Sequence, residues 1–536
     1  MYHRTEGENE SSVSFRVLPH STCNVRYQCF RRYVLPGFAS CGTDYYHQIM
    51  PPEPLLARLR NLARASFCIV ALLGTLMFLA NTSTASTITA NSCSSSDVQN
   101  ALNKTADGDT VQVPAGSCTW TTPVIPPCKS WTLQGSGALS TDITVNISSG
   151  YGHDALFLDG CSGKSIRITG FTWGYQGADA NGIFYFHGGS GLSFRIDNNT
   201  LTSAPNYGRY LWDNVPCIAP GCVIDHNTIV NVAAQVSAQV SSDGGDNFAG
   251  LTQWQQPMVI DNGSEVYFED NTFTFTSFFD NDMLDCVNGG RYVFRHNTVV
   301  GNLIFDHGYD SVAESCLELT AYQNTIDGLK QAQASVLYRG GTGVVYSNTL
   351  KNAAQGNFLV TNYRSNNSNI NDIHQPFCGG GNSIDGNTKN GWPCYEQIGR
   401  GSSSSTPGLA SYPLYEWDNC KTTLGCTGTA DQNTITVYNN QGGSIDFTFQ
   451  DIVKNRDFYD SVSSFNGSVG VGIGALSGRP SSCTAGVAYW AADTSTLYQC
   501  SKTNTWTAYY TPYTYPHPLT ATGGPEAPTK LQNQVQ

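Results

Sequence analysis

The chain has 536 residues, room for two or three structural units around a large core, with 54 Gly, 11% aromatic and only 13% charged residues. That balance excludes a helical or disordered polymer and fits a turn-rich extracellular β protein. A net charge of −13 excludes nucleic acid as the expected partner.

Residues 1–86 read as an N-terminal extension plus a signal peptide. Arg58, Arg60 and Arg64 precede the apolar run from Phe67 to Ala80, and small residues follow from Asn81 to Ser86. This is the order of a secretory signal. The run is shorter than the ~20 residues of a membrane span, so the expected product is secreted or displayed at the cell surface, with no stable span after cleavage. Cleavage is expected near Ala85, with Ala90 as the alternative site and an uncleaved anchor as the alternative fate. Met50 looks like a natural start. The portion after residue 86 carries 20 Lys and Arg against 36 Asp and Glu, a net −16. It keeps fourteen cysteines, an even number that suits a secreted disulfide framework. The pairs expected from proximity are Cys93 with Cys118, Cys217 with Cys222, Cys378 with Cys394, Cys420 with Cys426 and Cys483 with Cys500. Cys128 with Cys161 and Cys286 with Cys316 lie about one repeat apart.

Residues 87–135 are expected to cap a repeat structure. Ser94 is a helix N-cap, and Val98, Ala101 and Leu102 form one apolar face. Over 136–390 a short alternating segment recurs: FRIDNNTL, CVIDHNTI, VYFEDNTF, YVFRHNTV, LTAYQNTI and VVYSNTL. Their second Asn, or the only one, falls at 199, 227, 271, 297, 324 and 348, with spacings of 28, 44, 26, 27 and 24. Gly170 is taken as an earlier member in the same phase. A repeat in the twenties predicts a solenoid of stacked coils. Ile196, Ile224, Phe268, Phe294 and Val345 would face inward, and Asp197, Asp225, Glu269, Arg295 and Tyr346 outward. The recurring Asn would form an internal amide ladder.

These residues resemble the pectin lyase-like superfamily of secreted right-handed parallel β-helices. The resemblance spans roughly residues 88–390. It implies an all-β, right-handed parallel β-helix with an N-terminal helix cap and a small C-terminal β unit. Residues 391–479 read as irregular structure packed on the solenoid. Residues 480–520 form a small, aromatic, disulfide-clamped β unit, with strands around 487–490, 497–500 and 506–510, and 521–536 a tail. Many superfamily members cleave polysaccharides and others are non-catalytic, so two functions stand open. One is binding and cleavage of an extracellular polysaccharide, by a lyase or glycoside hydrolase route. The other is a non-catalytic surface, adhesion or assembly role.

Aligning coils by their Asn brings two acids into phase: Asp280 lies nine residues after Asn271, and Asp306 nine after Asn297. On regular coils these would stack ~5 Å apart, where like charges raise one pKa or hold a cation. Asp280, Asp306, His307 and Arg339 are the expected catalytic group, with Asp261, Asp282 and Arg295 in contact with the sugar chain. The order Asp261, Asp280 and Asp282, His307, Arg339 looks like that of polygalacturonase-type hydrolases. It departs from them in carrying Asp280-Asn281-Asp282 and Asp306-His307-Gly308, and no basic residue shortly after Arg339. A pectate lyase-like scheme would instead place Ca²⁺ on Asp280, Asp285, Asp306 and Asp310, with Asp285 and Asp310 as ligands first, and a basic group at Arg291, Arg295 or Arg339.

Overall fold

The structure is a computed structural model. It describes residues 85–521 except 149, 151, 177–181, 204–208, 238–253, 255, 277–282, 307–314, 333, 355, 362–395, 406–407, 421–434 and 438–451. The signal region lies outside the described residues. No helix among the described residues is long and apolar enough to cross a membrane.

The capping helix forms where expected, over Ser95–Leu102. The Ser94 hydroxyl accepts the Asp97 N–H, and Val98, Ala101 and Leu102 are buried. Cys93–Cys118 ties it to the first coil, and the Trp120 indole donates to the Cys93 carbonyl at 2.8 Å.

From there the chain winds as a right-handed parallel β-helix, the architecture implied by the pectin lyase-like resemblance. Successive strands visit three faces in turn, so every neighbour across a face is parallel and one coil away in sequence. The first face is a sheet of twelve described strands from Thr87–Thr89 to Phe458–Tyr459. The second has nine, from Gly116–Trp120 to Thr349–Lys351. The third is covered by five strands up to Leu284–Val287 and then by four from Ile304–Phe305 to Ile435–Val437. The first sheet therefore runs on past residue 390, through Leu414–Trp417 and Phe458–Tyr459.

Register follows the alternation in sequence. Ile168, Ile196, Ile224, Phe268, Phe294, Ala321 and Val345 stack inward on the first sheet. Trp173, Leu201, Ile229, Phe273, Val299, Ile326 and Leu350 do so on the second. All are buried, one continuous apolar column that no single coil could enclose.

Between the first and second faces each coil turns sharply through one residue of positive φ. These are Asn198, His226, Asp270, His296, Gln323, Ser347 and Asp418, at φ 54° to 58°. The buried Asn follows each of them. Its carboxamide oxygen accepts the backbone N–H of the preceding rung, at 2.9–3.0 Å from Asn199 through Asn348. Its amide nitrogen returns to main-chain carbonyls, as Asn297 does to Phe268 and Arg295. A sharp turn strands these backbone groups inside the core, and the amide is the side chain that satisfies both donor and acceptor there. The ladder ends at Asn419, within Trp417-Asp418-Asn419, a further rung of the pattern. Gly170 sits in a different phase from the one expected. It takes the positive-φ place of Asn198, at φ 79°, and Phe171 takes the Asn place, its N–H bonded to Asn199.

Five expected disulfides are formed: Cys93–Cys118, Cys128–Cys161, Cys217–Cys222, Cys286–Cys316 and Cys483–Cys500. Cys420 is also disulfide-bonded. Cys378, Cys394 and Cys426 lie outside the described residues.

The C-terminal strands at Ala488–Ala491, Thr496–Lys502 and Thr505–Tyr510 pair antiparallel, and Val471–Gly474 adds a parallel fourth. This small sheet packs on the outer side of the first face. Tyr346 stacks on Trp417 with ring centres 4.5 Å apart, and Trp417 meets Trp490 at 5.1 Å.

Candidate functional site: a groove beside the Asn ladder

The outward row of the first sheet runs Asp197, Asp225, Glu269, Arg295, Tyr322, Tyr346, Trp417 in register. It faces away from the solenoid core, yet every member is buried. The cover is the segment from Tyr510 to Thr520. Arg295 pairs with Glu269 at 2.6 Å and donates to the Tyr322 hydroxyl and to the carbonyls of Tyr513 and Thr514. Glu269 also accepts the His517 N–H. Arg195 holds Asp225 through two bonds and reaches the Leu519 and Thr520 carbonyls.

Two residues expected to touch sugar, Asp261 and Arg295, are brought together in this network through Tyr322. Asp261 accepts the hydroxyls of Tyr267 and Tyr510 and the Tyr513 N–H. Burial pushes its carboxyl above the usual range, with the Tyr267 bond opposing. Both residues fasten the C-terminal cover to the sheet, and neither faces a cleft.

Asp306, expected as a catalytic acid, is also buried. Its carboxylate accepts backbone N–H groups of the next coil at Arg339 and Gly340. Burial drives its pKa well up against those bonds. The Arg339 side chain is half-buried at this corner. Asp285 is half-buried on Leu284–Val287, beside the Cys286–Cys316 bridge. Asp280, Asp282, His307 and Asp310 lie outside the described residues. The described acids do not fit a Ca²⁺ site: the Asp306 carboxylate is committed to backbone donors, and no metal-holding group of three His, Cys, Asp or Glu occurs among the described residues.

Beside the Asn ladder the structure opens a groove of about 630 Å³, lined on the earliest coils by Gln112, Gln134 and Thr169, in register with the buried row, and from Asn198 onward by residues one position along. Its lining advances coil by coil: Gln112, then Gln134 to Ala138, then Thr169 and Gly170, then Asn198 and Thr200, then His226 and Thr228, then Asp270 and Thr272. The floor is flat at Gly135, where a Cβ would lie 2.2 Å from the Gly170 carbonyl oxygen. Among the described residues lining it there is no Lys or Arg.

His226 is the chemically distinctive member. Its side chain is 46% exposed, and its Nδ1 meets the Asp225 carboxylate at 2.8 Å. Nε2 has no hydrogen-bond partner among the described residues. The Asp225 bond raises the imidazole pKa, opposed by partial burial and helped by the charge of Asp270. Burial acts to raise Asp225, but His226 and Arg195 together outweigh it and leave that carboxyl below its ordinary value. Asp225 is therefore an anion that orients a groove-facing imidazole.

Beyond Asp270 the row is covered. The Tyr515 hydroxyl donates to Asp270 at 2.8 Å, and its ring stacks on His296 with centres 3.6 Å apart. Asn198, His226 and Asp270 were not among the residues singled out from sequence. The signal for them was present, since each immediately precedes a ladder Asn.

No protein-family model matches this chain, and no curated protein matches it. Solved structures similar to it include a mannuronic acid specific polysaccharide family 6 lyase from human gut microbiota. It is 13% identical, over 73% of this chain and 81% of that one, with a TM-score of 0.35. The family 6 alginate lyase AlyGC is 14% identical over 70% of this chain and 53% of its own, with a TM-score of 0.30. The family 6 polysaccharide lyase Pedsa3628 from Pseudopedobacter saltans is 12% identical, over 62% and 73%, with a TM-score of 0.24.

Proposed function

We propose that this chain is an exported protein that binds an extracellular polysaccharide along the groove beside its Asn ladder. The observation that carries this reading is the lining itself: amide, hydroxyl, imidazole and carboxylate groups repeated from coil to coil at ~4.8 Å. A surface that repeats polar groups in one direction suits a ligand that is itself a repeating chain of hydroxyls. Export is supported by the disulfide set and by the basic, apolar, small-residue order before Ala85.

A second reading, cleavage of the bound chain, has one specific observation in its favour. His226 is held at Nδ1 by an ionised Asp225, which leaves Nε2 toward the groove. Both β-elimination and hydrolysis of a glycosidic bond need a positioned proton-transfer group. Asp270, half-buried on the next coil, is the neighbouring carboxyl that would share the work.

The experiment is affinity electrophoresis of the mature protein in gels carrying alginate, polygalacturonate, xylan or a β-glucan. The same incubations are followed for new reducing ends and for the ultraviolet absorbance of unsaturated uronates. Retardation by one polymer that falls at least about tenfold in His226→Ala and Asp270→Ala is expected, a change of about 1.4 kcal/mol. Equal retardation in wild type and variants would sink the groove as the binding site. Binding without any product restricts the protein to the non-catalytic role.

A further inference from the structure

We propose that the small C-terminal sheet carries a second ligand site, remote from the groove, in which Arg479 takes the carboxylate of an acidic sugar. Arg479 follows the short 3-10 turn Leu476–Gly478. Its guanidinium lies over two aromatic rings, 4.2 Å from the centre of Tyr498 and 5.5 Å from that of Trp506. The rings stand on adjacent antiparallel strands and are half-buried. Trp506 is itself fixed, its indole N–H donating to the Pro480 carbonyl at 2.7 Å and its ring meeting Phe465. The support beneath is rigid, clamped by Cys483–Cys500 and packed through Trp490 and Tyr510 on Tyr346 of the solenoid.

The guanidinium is held in place without being neutralised. No carboxylate pairs with it, and its side-chain N–H groups have no acceptor among the described residues. Nη1 is buried in that state. A buried donor of this kind is completed by a water, and the carboxylate takes the Nε–Nη2 edge, which is not buried and has no acceptor among the described residues. A guanidinium stacked on rings keeps its N–H edge in one plane, which matches the two oxygens of a carboxylate, and the match is lost with lysine. The guanidinium takes the Tyr498 face at 4.2 Å, so the apolar surface left for a pyranose is the half-buried Trp506 indole, whose centre lies farther off at 5.5 Å. A bare inorganic anion would use the guanidinium alone, whereas a uronate uses both. The groove has no Lys or Arg among its described lining residues, so an acidic sugar finds its charge partner here and not there.

The test is titration calorimetry of the whole mature protein with trigalacturonate, with maltotriose as the neutral trisaccharide and sodium sulfate as the bare anion. Saturable binding of trigalacturonate is expected, with no heat from maltotriose and sulfate at least about tenfold weaker. Arg479→Gln should weaken trigalacturonate at least about tenfold. Arg479→Lys, which keeps the charge and loses the planar fork, should weaken it several-fold, and His226→Ala should leave it unchanged. The arginine substitutions lie at a half-buried surface position, and an unchanged melting temperature confirms that they fold. Three outcomes overturn the proposal: no saturation by about 10 mM, equal affinity in Arg479→Gln, or sulfate binding as tightly as the trisaccharide. Loss of binding in His226→Ala places the acidic sugar in the groove and overturns it as well.

Discussion

Asp225 and His226 are neighbours in sequence, yet Asp225 is fully buried beneath the C-terminal segment while the side chain of His226 is 46% exposed in the groove. The next coil repeats the contrast. Glu269 is buried against Arg295 and the His517 N–H, and Asp270 lines the groove. Both rows belong to the same turn of the same repeat, and both point away from the apolar column. They differ in what lies over them, because the segment from Tyr510 to Thr520 crosses one from Asp225 onward and reaches the other only from Asp270, where Tyr515 binds Asp270 and stacks on His296. An acidic residue that leaves the solenoid core is thus a structural clamp or a ligand group according to what lies over it.

The largest effect expected from breaking this arrangement is on the covered row. Glu269→Ala leaves Arg295 as a buried charge with its carboxylate removed, so the folded state should lose about 3–5 kcal/mol, measured by denaturant unfolding. A loss below about 1 kcal/mol would show that the cover is loosely held. Next comes the ladder shared by both rows. Asn297→Ala removes the acceptor for the Asn271 N–H and the donor to two carbonyls, with an expected cost of about 1–3 kcal/mol. Thr228→Ala, at an exposed strand position lining the groove, should move stability by no more than about 0.5 kcal/mol while weakening polysaccharide retardation. The reverse pattern would assign the groove a structural role.

Two pH experiments sharpen the contrast. In the segment over the covered row, burial together with the nearby Arg295 charge holds the His517 imidazole down at about 4. Its unfolded form takes up a proton near 6.5 and the folded chain does not until about 4, so this group's contribution to stability falls as pH drops through that window. Melting temperatures of wild type and His517→Gln should diverge at pH 7 and converge toward pH 4. In the open row the sign is opposite. The His226 pKa is raised, so its bond to Asp225 stabilises fully below the unfolded value and fades as pH rises through the folded one. His226→Gln should therefore melt below wild type at pH 5, with the gap closing at alkaline pH. A gap that widens with pH would contradict an ionised Asp225 as its partner.

The fold was legible because its determinants are local and repeated. Alternating residues before each Asn set the inward column, and the capping helix, the Asn ladder and five disulfides all lay where composition and spacing placed them. Asn419 was not read as a rung: residues 391–479 looked irregular, and Asn419 is followed by Cys420 where every earlier ladder Asn from Asn199 to Asn348 is followed by Thr. The site was less legible. Period and phase identify which side chains leave the core, so Asp261, Asp306 and Arg295 looked like groove residues. Asp306 instead caps the backbone of the next coil, and the other two meet under residues more than two hundred positions away.

What the sequence determined by itself was the solenoid: a period in the twenties, two-residue alternation and an amide at each sharp turn admit few other ways to bury the apolar face and satisfy the turn's backbone. What only the tertiary structure decided was which outward row meets water. That depends on where the chain's last described strands and their following segment dock. Docking is a long-range contact among Tyr346, Trp417, Trp490 and the Glu269–Arg295 pair, and no local pattern of residues encodes it.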